Sequence, residues 1–447
     1  MKSIICLLCS VYVIGCAHSS PRTELGPTSQ NAGAATKDPE APRSAPSAFT
    51  STNPRALTRE PTVEERAFID ELARSAEKIR HLRFSKPVAV RVMNDVAITE
   101  SLLSQLKKND IEEARTLYTA LGLLPKDIDL YGMLSSVLLE QVVGYYDPDA
   151  AQLVIRDDII DGLRADSTSD QSNDARLVLV HELVHALQDQ RLDLGKQHAK
   201  KRSSDEENAF RSVVEGDATF AMMAHLFRTR GIPLRAFSQG VANGVPFDAA
   251  SNGKSLNDAP PIVRITLVAP YVRGMAWAAT LHNRGEWRAI DNAHRAIPVS
   301  TEQILHPSKY LSHETPLPIS IPPMPFMTDA GFKTVKEDTL GELELSVYFG
   351  QREANGIDAN AASNWDGDRV RVYADGRGHA VVVGFTAWDT EAQAKIALER
   401  AVQVAPTADQ PWQRRSGRFV LIIRGASAKN AMEITKAFQA WTAGHSE

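Results

Sequence analysis

Cysteine is scarce in this chain of 447 residues, and all three cysteines, Cys6, Cys9 and Cys16, lie at its N-terminus. The rest of the chain has no thiols, which excludes a disulfide framework there. Basic clusters are lacking too: the formal net charge is -5, the pI is about 6.2, and no G-x-G-x-x-G loop occurs. Because a nucleic-acid surface needs a concentrated basic face, we expect no nucleic acid among the partners.

The apolar run at residues 4–14 is too short to span a bilayer and has the build of a secretory signal. Residues 13–16, Val-Ile-Gly-Cys, resemble the lipobox of bacterial lipoproteins, in which the signal is removed before an acylated cysteine. The resemblance implies that residues 1–15 are a signal peptide and that Cys16 carries a lipid. The protein would then be anchored to a bacterial membrane in the cell envelope, facing the periplasm or the exterior. An ordinary cleaved signal is the alternative.

Changes in composition divide the remainder into three segments. Residues 16–60 are rich in Pro, Ser, Thr, Ala and Gly, and they predict a disordered tether because they cannot bury enough surface to offset their ordering entropy. Residues 61–325 carry mainly helical patterns and form the predicted main domain, which ends in a proline-dense linker. Residues 326–447 are predicted to be a small α+β accessory module. The expected fold class is α+β.

Hydrophobic periodicity and capping signals place the elements within these segments. In the main domain, strands are predicted at residues 87–93 and in a hairpin at 142–156, and helices at 62–81, 99–107, 111–121, 128–141, 206–230 and 261–283. The last of these helices is predicted to break at Pro270. A further helix, capped by Asn173 or Asp174, follows the hairpin and ends near Leu194. In the accessory module, strands are predicted at residues 343–349, 369–373, 380–386 and 419–424, and helices at 391–404 and 428–441.

The most informative motif lies in the helix that follows the hairpin. His181, Glu182 and His185 occur there in the order H-E-x-x-H, surrounded by leucine, valine and alanine. Residues four apart share a helix face, so both imidazoles can reach one zinc ion. Glu182 falls beside that ion, where its carboxylate can take a proton from water that the metal activates. A core helix that merely contains two histidines is the alternative, but apolar neighbours suit the low-dielectric wall of a metal site.

This longer pattern resembles the signature of the zincins, a family of zinc metallopeptidases. A catalytic zinc takes three protein ligands, so two histidines are incomplete. The metzincin branch needs a glycine and a histidine where this chain has Gln188 and Arg191. A glutamate from a following helix is the other solution, and Glu215 lies on a largely apolar helix, where a carboxylate is costly to bury unless a cation meets it.

This arrangement resembles the gluzincins, the thermolysin-like branch of the zincins. The resemblance implies that His181, His185 and Glu215 bind Zn²⁺ and that Glu182 is the general base. Thermolysin-like enzymes place an asparagine before this glutamate and an aspartate four residues after it, and here valine and threonine stand at those positions. Asp217 then either orients a ligand histidine or competes with Glu215 as the third ligand. The remaining interpretation is that the carboxylate forms a structural salt bridge.

The resemblance implies a secreted, membrane-anchored zinc metallopeptidase with a protein or peptide substrate. In zincins, a hairpin before the metal helix commonly forms the wall along which an extended peptide pairs, and residues 142–156 have that position. Peptide hydrolysis also needs a donor that faces the oxyanion, for which Tyr271 and His306 are the candidates. A non-catalytic zinc-containing binding lipoprotein of the cell envelope and a hydrolase of a non-peptide amide in the cell wall are the alternatives.

Overall fold

The computed structural model describes residues 57–160, 170–242 and 253–445, so the predicted signal peptide and Cys16 lie outside the described residues. The protein is a mixed α+β structure, mostly helical, with two small sheets. The strands are β1 (Thr58–Arg59), β2 (Ala89–Met93), β3 (Gly144–Asp147), β4 (Gln152–Arg156), β5 (Lys333–Asp338), β6 (Trp365–Ala374), β7 (Ala380–Trp388), β8 (Arg414–Ser416) and β9 (Phe419–Arg424).

The helices are α1 (Val63–Arg80), α2 (Asp95–Gln105), α3 (Lys108–Ala120), α4 (Leu130–Gln141), α5 (Asp170–Leu192), α6 (Leu194–His198), α7 (Ser204–Thr229), α8 (Leu234–Ala242), α9 (Lys254–Asn257), α10 (Pro261–Ala293), α11 (Thr301–Leu305), α12 (Pro307–Leu311), α13 (Pro325–Asp329), α14 (Gly341–Phe349), α15 (Ala359–Ala362), α16 (Glu391–Val404) and α17 (Ala428–Ala443). Within the described ranges, no helix has the length and apolar character needed to cross a membrane.

The first sheet has the strand order β1-β2-β4-β3, in which β2 and β4 are parallel and the outer strands are antiparallel to them. The predicted hairpin is therefore confirmed, with β3 at the edge of the sheet. Its turn is closed by the Asp147 carboxylate, which accepts the N–H groups of Asp149 and Ala150 at 3.0 Å each. Such an aspartate-centred turn fixes the register of the hairpin without any ion.

Helix α5 carries the H-E-x-x-H motif and begins at Asp170, so the predicted cap at Asn173 or Asp174 is wrong. Aspartate interacts favourably with the positive end of a helix also from within its first turns, so polar residues there do not mark the start uniquely. The helix ends at Leu192, and Asp193 accepts the N–H of Lys196 to begin the short helix α6.

Helix α7 lies at the centre of the molecule, because residues 207–224 are all buried. It packs against α5 on one side and crosses α10 at a glycine pair. A Cβ atom added to Gly216 would lie 2.2 Å from the carbonyl carbon of Gly274, so only two glycines allow this approach. The close crossing positions Glu215 on α7 beside the histidines of α5.

The predicted break at Pro270 is wrong, because α10 continues through the proline. Proline removes the N–H that would bond the carbonyl four residues earlier, which belongs to Thr266. The Arg211 guanidinium donates to that carbonyl over 3.1 Å and replaces the missing bond. The non-helical backbone lies at Gly285 and Glu286 instead.

The second sheet is antiparallel with the order β5-β6-β7-β9-β8, and both of its faces are covered. Val381 and Val383 of β7 pack towards α17, whereas Val382 points into a core that also contains side chains of α2, α3, α4 and α10. The alternation follows from the two-residue period of a strand. The C-terminal sheet therefore shares a continuous hydrophobic core with the helices that precede it.

The predicted strand at residues 343–349 is wrong, because these residues form helix α14. Every residue of α14 is buried, the polar ones included, and Glu342, Glu344 and Ser346 alternate with Leu343, Leu345 and Val347 in the two-residue period that is typical of a strand, although the segment is a helix. The strand that completes the sheet is β5, which is largely polar and carries no such signal. The other predicted strands and helices of this region are confirmed.

Candidate metal centre

Three side chains from α5 and α7 bring their ligand atoms to one point. His181 Nε2 and His185 Nε2 are 3.0 Å apart, and each lies 3.3 Å from Glu215 Oε2. Zinc ligands at about 2.0–2.1 Å in a tetrahedral arrangement are separated by about 3.3 Å, which matches these distances. The side chains are buried and have the nitrogen and oxygen donors that zinc prefers. The residues present therefore fit a zinc ion.

A residue that was not predicted from the sequence, Gln188, fixes the orientation of His185. The Nδ1 atom of His185 lies 2.9 Å from Gln188 Oε1, which can only accept, so Nδ1 carries a proton, and in the neutral ring Nε2 has the lone pair that a metal can use. The amide nitrogen of Gln188 donates to the Val214 carbonyl and to Asp217, each at 3.0 Å. Both the oxygen and the nitrogen of the Gln188 amide therefore have hydrogen-bond partners, which fixes the orientation of the His185 imidazole.

Asp217 is not one of the three candidate ligands. It contacts Gln188, which in turn contacts the candidate ligand His185. Its carboxylate is fully buried and contacts Arg80 Nε at 2.8 Å and His294 Nε2 at 2.8 Å, in addition to Gln188. Burial would raise the pKa of Asp217, but the charge of Arg80 and the contacts with His294 and Gln188 together outweigh burial and lower it. Asp217 therefore reaches His185 through Gln188, which is compatible with the predicted role of orienting a ligand histidine, and it is not among the three side chains that converge, so the geometry does not support it as a competing ligand.

Glu182 points its carboxylate at the edge strand β3. Its Oε2 accepts the backbone N–H of Tyr146 at 2.8 Å, while its Oε1 is buried and has no hydrogen-bond partner among the described residues. Burial raises the pKa of Glu182 to about 8. A cation held by the three ligands would oppose that rise, because a nearby positive charge favours the carboxylate form. One oxygen is thus fixed and the other is open to a proton donor.

The pKa values of the three candidate ligands are shifted by their burial and by their contacts with one another. Burial lowers the pKa of His181. For His185, burial acts in the same direction, but the charge and hydrogen bond of Glu215, the charge of Glu182 and the hydrogen bond of Gln188 together outweigh it and raise the pKa to about 9. For Glu215, burial would raise the pKa, but His185 and His181 lower it. A buried carboxylate that stays ionised beside two imidazoles is a donor that a metal can use directly.

The two predicted oxyanion donors lie in different surroundings. The Tyr271 ring is stacked on His181 with 6.1 Å between ring centroids, so the structure brings Tyr271 to the metal ligands. His306 Nε2 lies 2.9 Å from Glu342 instead, and none of the contacts described above for His181, His185 and Glu215 involves it. Tyr271 therefore stays a candidate, and the structure gives His306 no contact with the site.

A second group of carboxylates, Glu302, Glu314 and Asp389, is close enough together to hold a cation. The Lys309 ammonium already lies among them, at 2.6–2.8 Å from each. The cation of this group is therefore a side chain of the protein itself.

Comparison with protein-family profiles gives a match in the C-terminal part of the chain. A protein-family profile described as "Domain of unknown function (DUF8575)" matches residues 330–435, which run from just before β5 into α17. No curated protein and no solved structure shows significant similarity to the chain. The matched region does not include α5 or α7, so the profile says nothing about the candidate metal centre.

The supporting residues Gln188, Arg80, His294 and Tyr146 were not predicted from the sequence. Gln188 follows His185 by three residues on the same helix face, and this spacing is a signal that could have identified it. Arg80 and His294 lie 137 and 77 residues from Asp217. No local pattern indicates contacts over such separations.

Proposed function

We propose that the protein is a zinc-dependent peptidase of zincin type, related in its ligand arrangement to the gluzincins. The observation that carries the proposal is the convergence of His181, His185 and Glu215, with Glu182 beside them. A catalytic site keeps three protein ligands and an open position, whereas a structural site prefers four and needs no adjacent base. The donor set described here has three ligands and a base, which favours catalysis.

In this proposal Glu182 is the general base. When bound, zinc supplies Lewis acidity, which lowers the pKa of water and polarises a carbonyl group. Glu182 Oε1 accepts the proton of the attacking water, and the same atom can return it to the departing amine. The N–H of Tyr146 holds the other oxygen, so the carboxylate keeps its direction while the proton moves.

The substrate would lie along β3, because an edge strand can pair with an extended peptide. Tyr146 ties this strand to α5 at two points, since its N–H binds Glu182 and its hydroxyl donates to Asp189 at 2.7 Å. The four site side chains are at most 4% exposed, so a peptide reaches them only if the surrounding elements move. The same burial keeps bulk water from the reacting groups.

The proposal includes the cellular setting. A lipid on Cys16 would hold the enzyme on a bacterial membrane in the cell envelope, and residues 16–60 would be its tether. Labelling of the expressed chain with a radioactive fatty acid tests the anchor: we expect label in the native chain and none in Cys16→Ser.

The function is tested by measuring zinc content and casein cleavage for the native chain, for Glu182→Gln and for Glu100→Gln, an exposed carboxylate on α2. We expect Glu182→Gln to keep its zinc, because Glu182 is not a ligand, and to lose activity by about 10²–10⁴-fold. The Glu100→Gln control should match the native chain in both measurements. Equal cleavage by Glu182→Gln and the native chain would rule out Glu182 as the base, and zinc-loaded protein that cleaves nothing in a peptide library would reject a peptidase.

A further inference from the structure

A cleft of about 1040 Å³ lies between α1, the start of α5 and the end of α7. Three acidic side chains line it, Glu71, Glu77 and Asp174, and Glu77 is already paired with an arginine of the cleft at 3.0 Å. Six basic side chains line it: Arg74, Lys78, Arg83, Arg176, Arg228 and Arg230. This basic cleft stands out in a chain whose formal net charge is -5. None of its residues belongs to the metal centre.

Part of the positive charge has an explanation that needs no ligand. Lys78 lies in the last turn of α1 and Arg228 in the last turn of α7, where cations interact favourably with the negative end of the helix dipole. Arg176 does not fit this explanation, because it lies in the second turn of α5, near the positive end of that helix. A half-buried guanidinium that lacks this stabilisation is usually paired with an anion.

Arg176 has no such anion within the described part of the chain. It is half-buried, its guanidinium lies over the Phe68 ring at 4.7 Å, and its Nε is buried without a hydrogen-bond partner. No described carboxylate forms an ion pair with it. Stacking on an aromatic face fixes the guanidinium plane and leaves its N–H groups available at the edge. Arg176 is therefore a positioned donor, and its Nε has no acceptor among the described residues.

A second set of donors is held in place by hydrogen bonds between α1 and α7. Arg228 Nη2 donates to Ser75 Oγ at 3.1 Å, and Ser75 Oγ lies 3.0 Å from His225 Nδ1. Arginine can only donate, so the Ser75 hydrogen is free to point at Nδ1, which makes Nε2 the protonated nitrogen of the neutral ring. The chain of bonds orders three side chains that line the cleft.

We propose that the basic cleft binds a phosphate group. Its donors come from three helices, α1, α5 and α7, and a tetrahedral anion with several acceptor oxygens can meet donors from several directions. A carboxylate offers only two oxygens in one plane. Arginine matches phosphate geometry closely, and the volume leaves room for an organic group attached to the phosphate. Two sources share this chemistry, namely an anionic phospholipid headgroup and a soluble phosphate ester or free phosphate.

The test uses the full chain in a Cys16→Ser background, so that no lipid anchor contributes to membrane binding. The probes are inorganic phosphate, titrated by calorimetry at constant ionic strength with chloride as the balancing anion, and vesicles of phosphatidylglycerol or of phosphatidylcholine. The cleft variant is Arg176→Gln/Arg228→Gln. The matched control is Arg352→Gln, an exposed arginine outside the cleft. Circular dichroism establishes that all variants are folded.

We expect the cleft variant to bind at least one probe about tenfold or more weakly than the native side chains do, and the control to bind it unchanged. Loss of phosphate binding identifies a soluble phosphate as a ligand, and loss of binding to phosphatidylglycerol vesicles alone identifies a lipid headgroup. The proposal is overturned if the cleft variant and the Arg352→Gln control behave alike with both probes, which includes the case in which neither probe binds at all. Because no step involves zinc or peptide cleavage, the result is independent of the proposed peptidase activity.

Discussion

Gln188 shows how a single neutral side chain can orient a candidate metal ligand. Its Oε1 accepts a hydrogen bond from His185, and its Nε2 donates one to Asp217, which belongs to a buried salt bridge. The position of this salt bridge therefore fixes the position of the His185 imidazole. We expect Gln188→Ala to weaken zinc binding by about 10–100-fold with all three ligands intact. Competition with a chromophoric chelator measures this affinity. The matched control is Gln190→Ala on the same helix, whose amide binds Ser85 and Lys86, and it should leave zinc affinity unchanged.

We expect Arg80 to contribute to the stability of the fold, whereas Gln188 contributes to zinc affinity. Arg80 is 1% exposed, bonds to Asp217 and Asp291, and lies over the Trp287 ring at 4.5 Å. Removing it leaves Asp217 as a buried charge without its cationic partner. We expect Arg80→Ala to lower the free energy of unfolding of the metal-free protein by about 3–5 kcal/mol in urea titrations. For the exposed Arg83→Ala, we expect a change within about 0.5 kcal/mol, and similar values for both variants would contradict this account.

At the scale of elements, the site depends on how closely two helices cross. The Gly216–Gly274 contact lies next to Glu215. A larger residue at this contact would separate the two helices, disturb their packing and displace the Glu215 carboxylate. We expect Gly216→Ala to cost about 1–3 kcal/mol or more of unfolding free energy and to weaken zinc binding in the same preparation. Thermal unfolding and chelator competition measure the two effects.

The control for this prediction is Gly240→Ala in α8, where an added Cβ meets nothing within 4 Å. There the substitution removes the conformational freedom of glycine from a helix, so it should stabilise the protein by up to about 1 kcal/mol. If both substitutions left zinc affinity unchanged, the crossing would not position Glu215.

The elements that were predictable from the sequence are those with a local signal. Thr62 and Glu65 form the capping box that starts α1, and the two short strands on either side of the turn at Asp147 form the predicted hairpin. Residues 343–349 alternate like a strand but form a helix that is buried on all sides, and Pro270 lies within a helix because Arg211 compensates for it from elsewhere in the fold. Local patterns cannot report compensation that comes from a distant segment.

The same division applies to the candidate site. The histidines and Glu182 were predictable because one helix spaces them, and Glu215 because an isolated carboxylate on an apolar helix requires a cation. Their converging positions agree with that prediction, whereas zinc binding and catalysis stay predictions. Arg80 and His294 converge on Asp217 from helices far apart in the sequence, and only the folded structure reveals them.

At the scale of the whole molecule, buried acidic groups join the C-terminal module to the helices. Glu344 of α14 accepts from Tyr118 of α3 at 2.8 Å and from Asn208 of α7 at 3.0 Å, both through Oε1, while Oε2 has no described partner. Burial raises the pKa of Glu344 well above 4.5, and the negative charges of Asp338 and Asp205 raise it further. The folded protein therefore binds a proton here that the unfolded chain has already released.

The direction of the pH dependence follows from this pKa. The contribution of Glu344 to stability is fully present below the unfolded pKa and is lost as the pH rises towards the higher folded pKa. Glu344→Gln keeps an acceptor for Tyr118 and Asn208 but cannot ionise. We expect the stability of the variant relative to the native chain to increase steadily between about pH 5 and 8, measured by urea unfolding of metal-free protein. For the exposed Glu100→Gln, the difference in unfolding free energy from the native chain should not change with pH. If the difference for Glu344→Gln were also independent of pH, the pKa of this carboxyl would be the same in the folded and unfolded states.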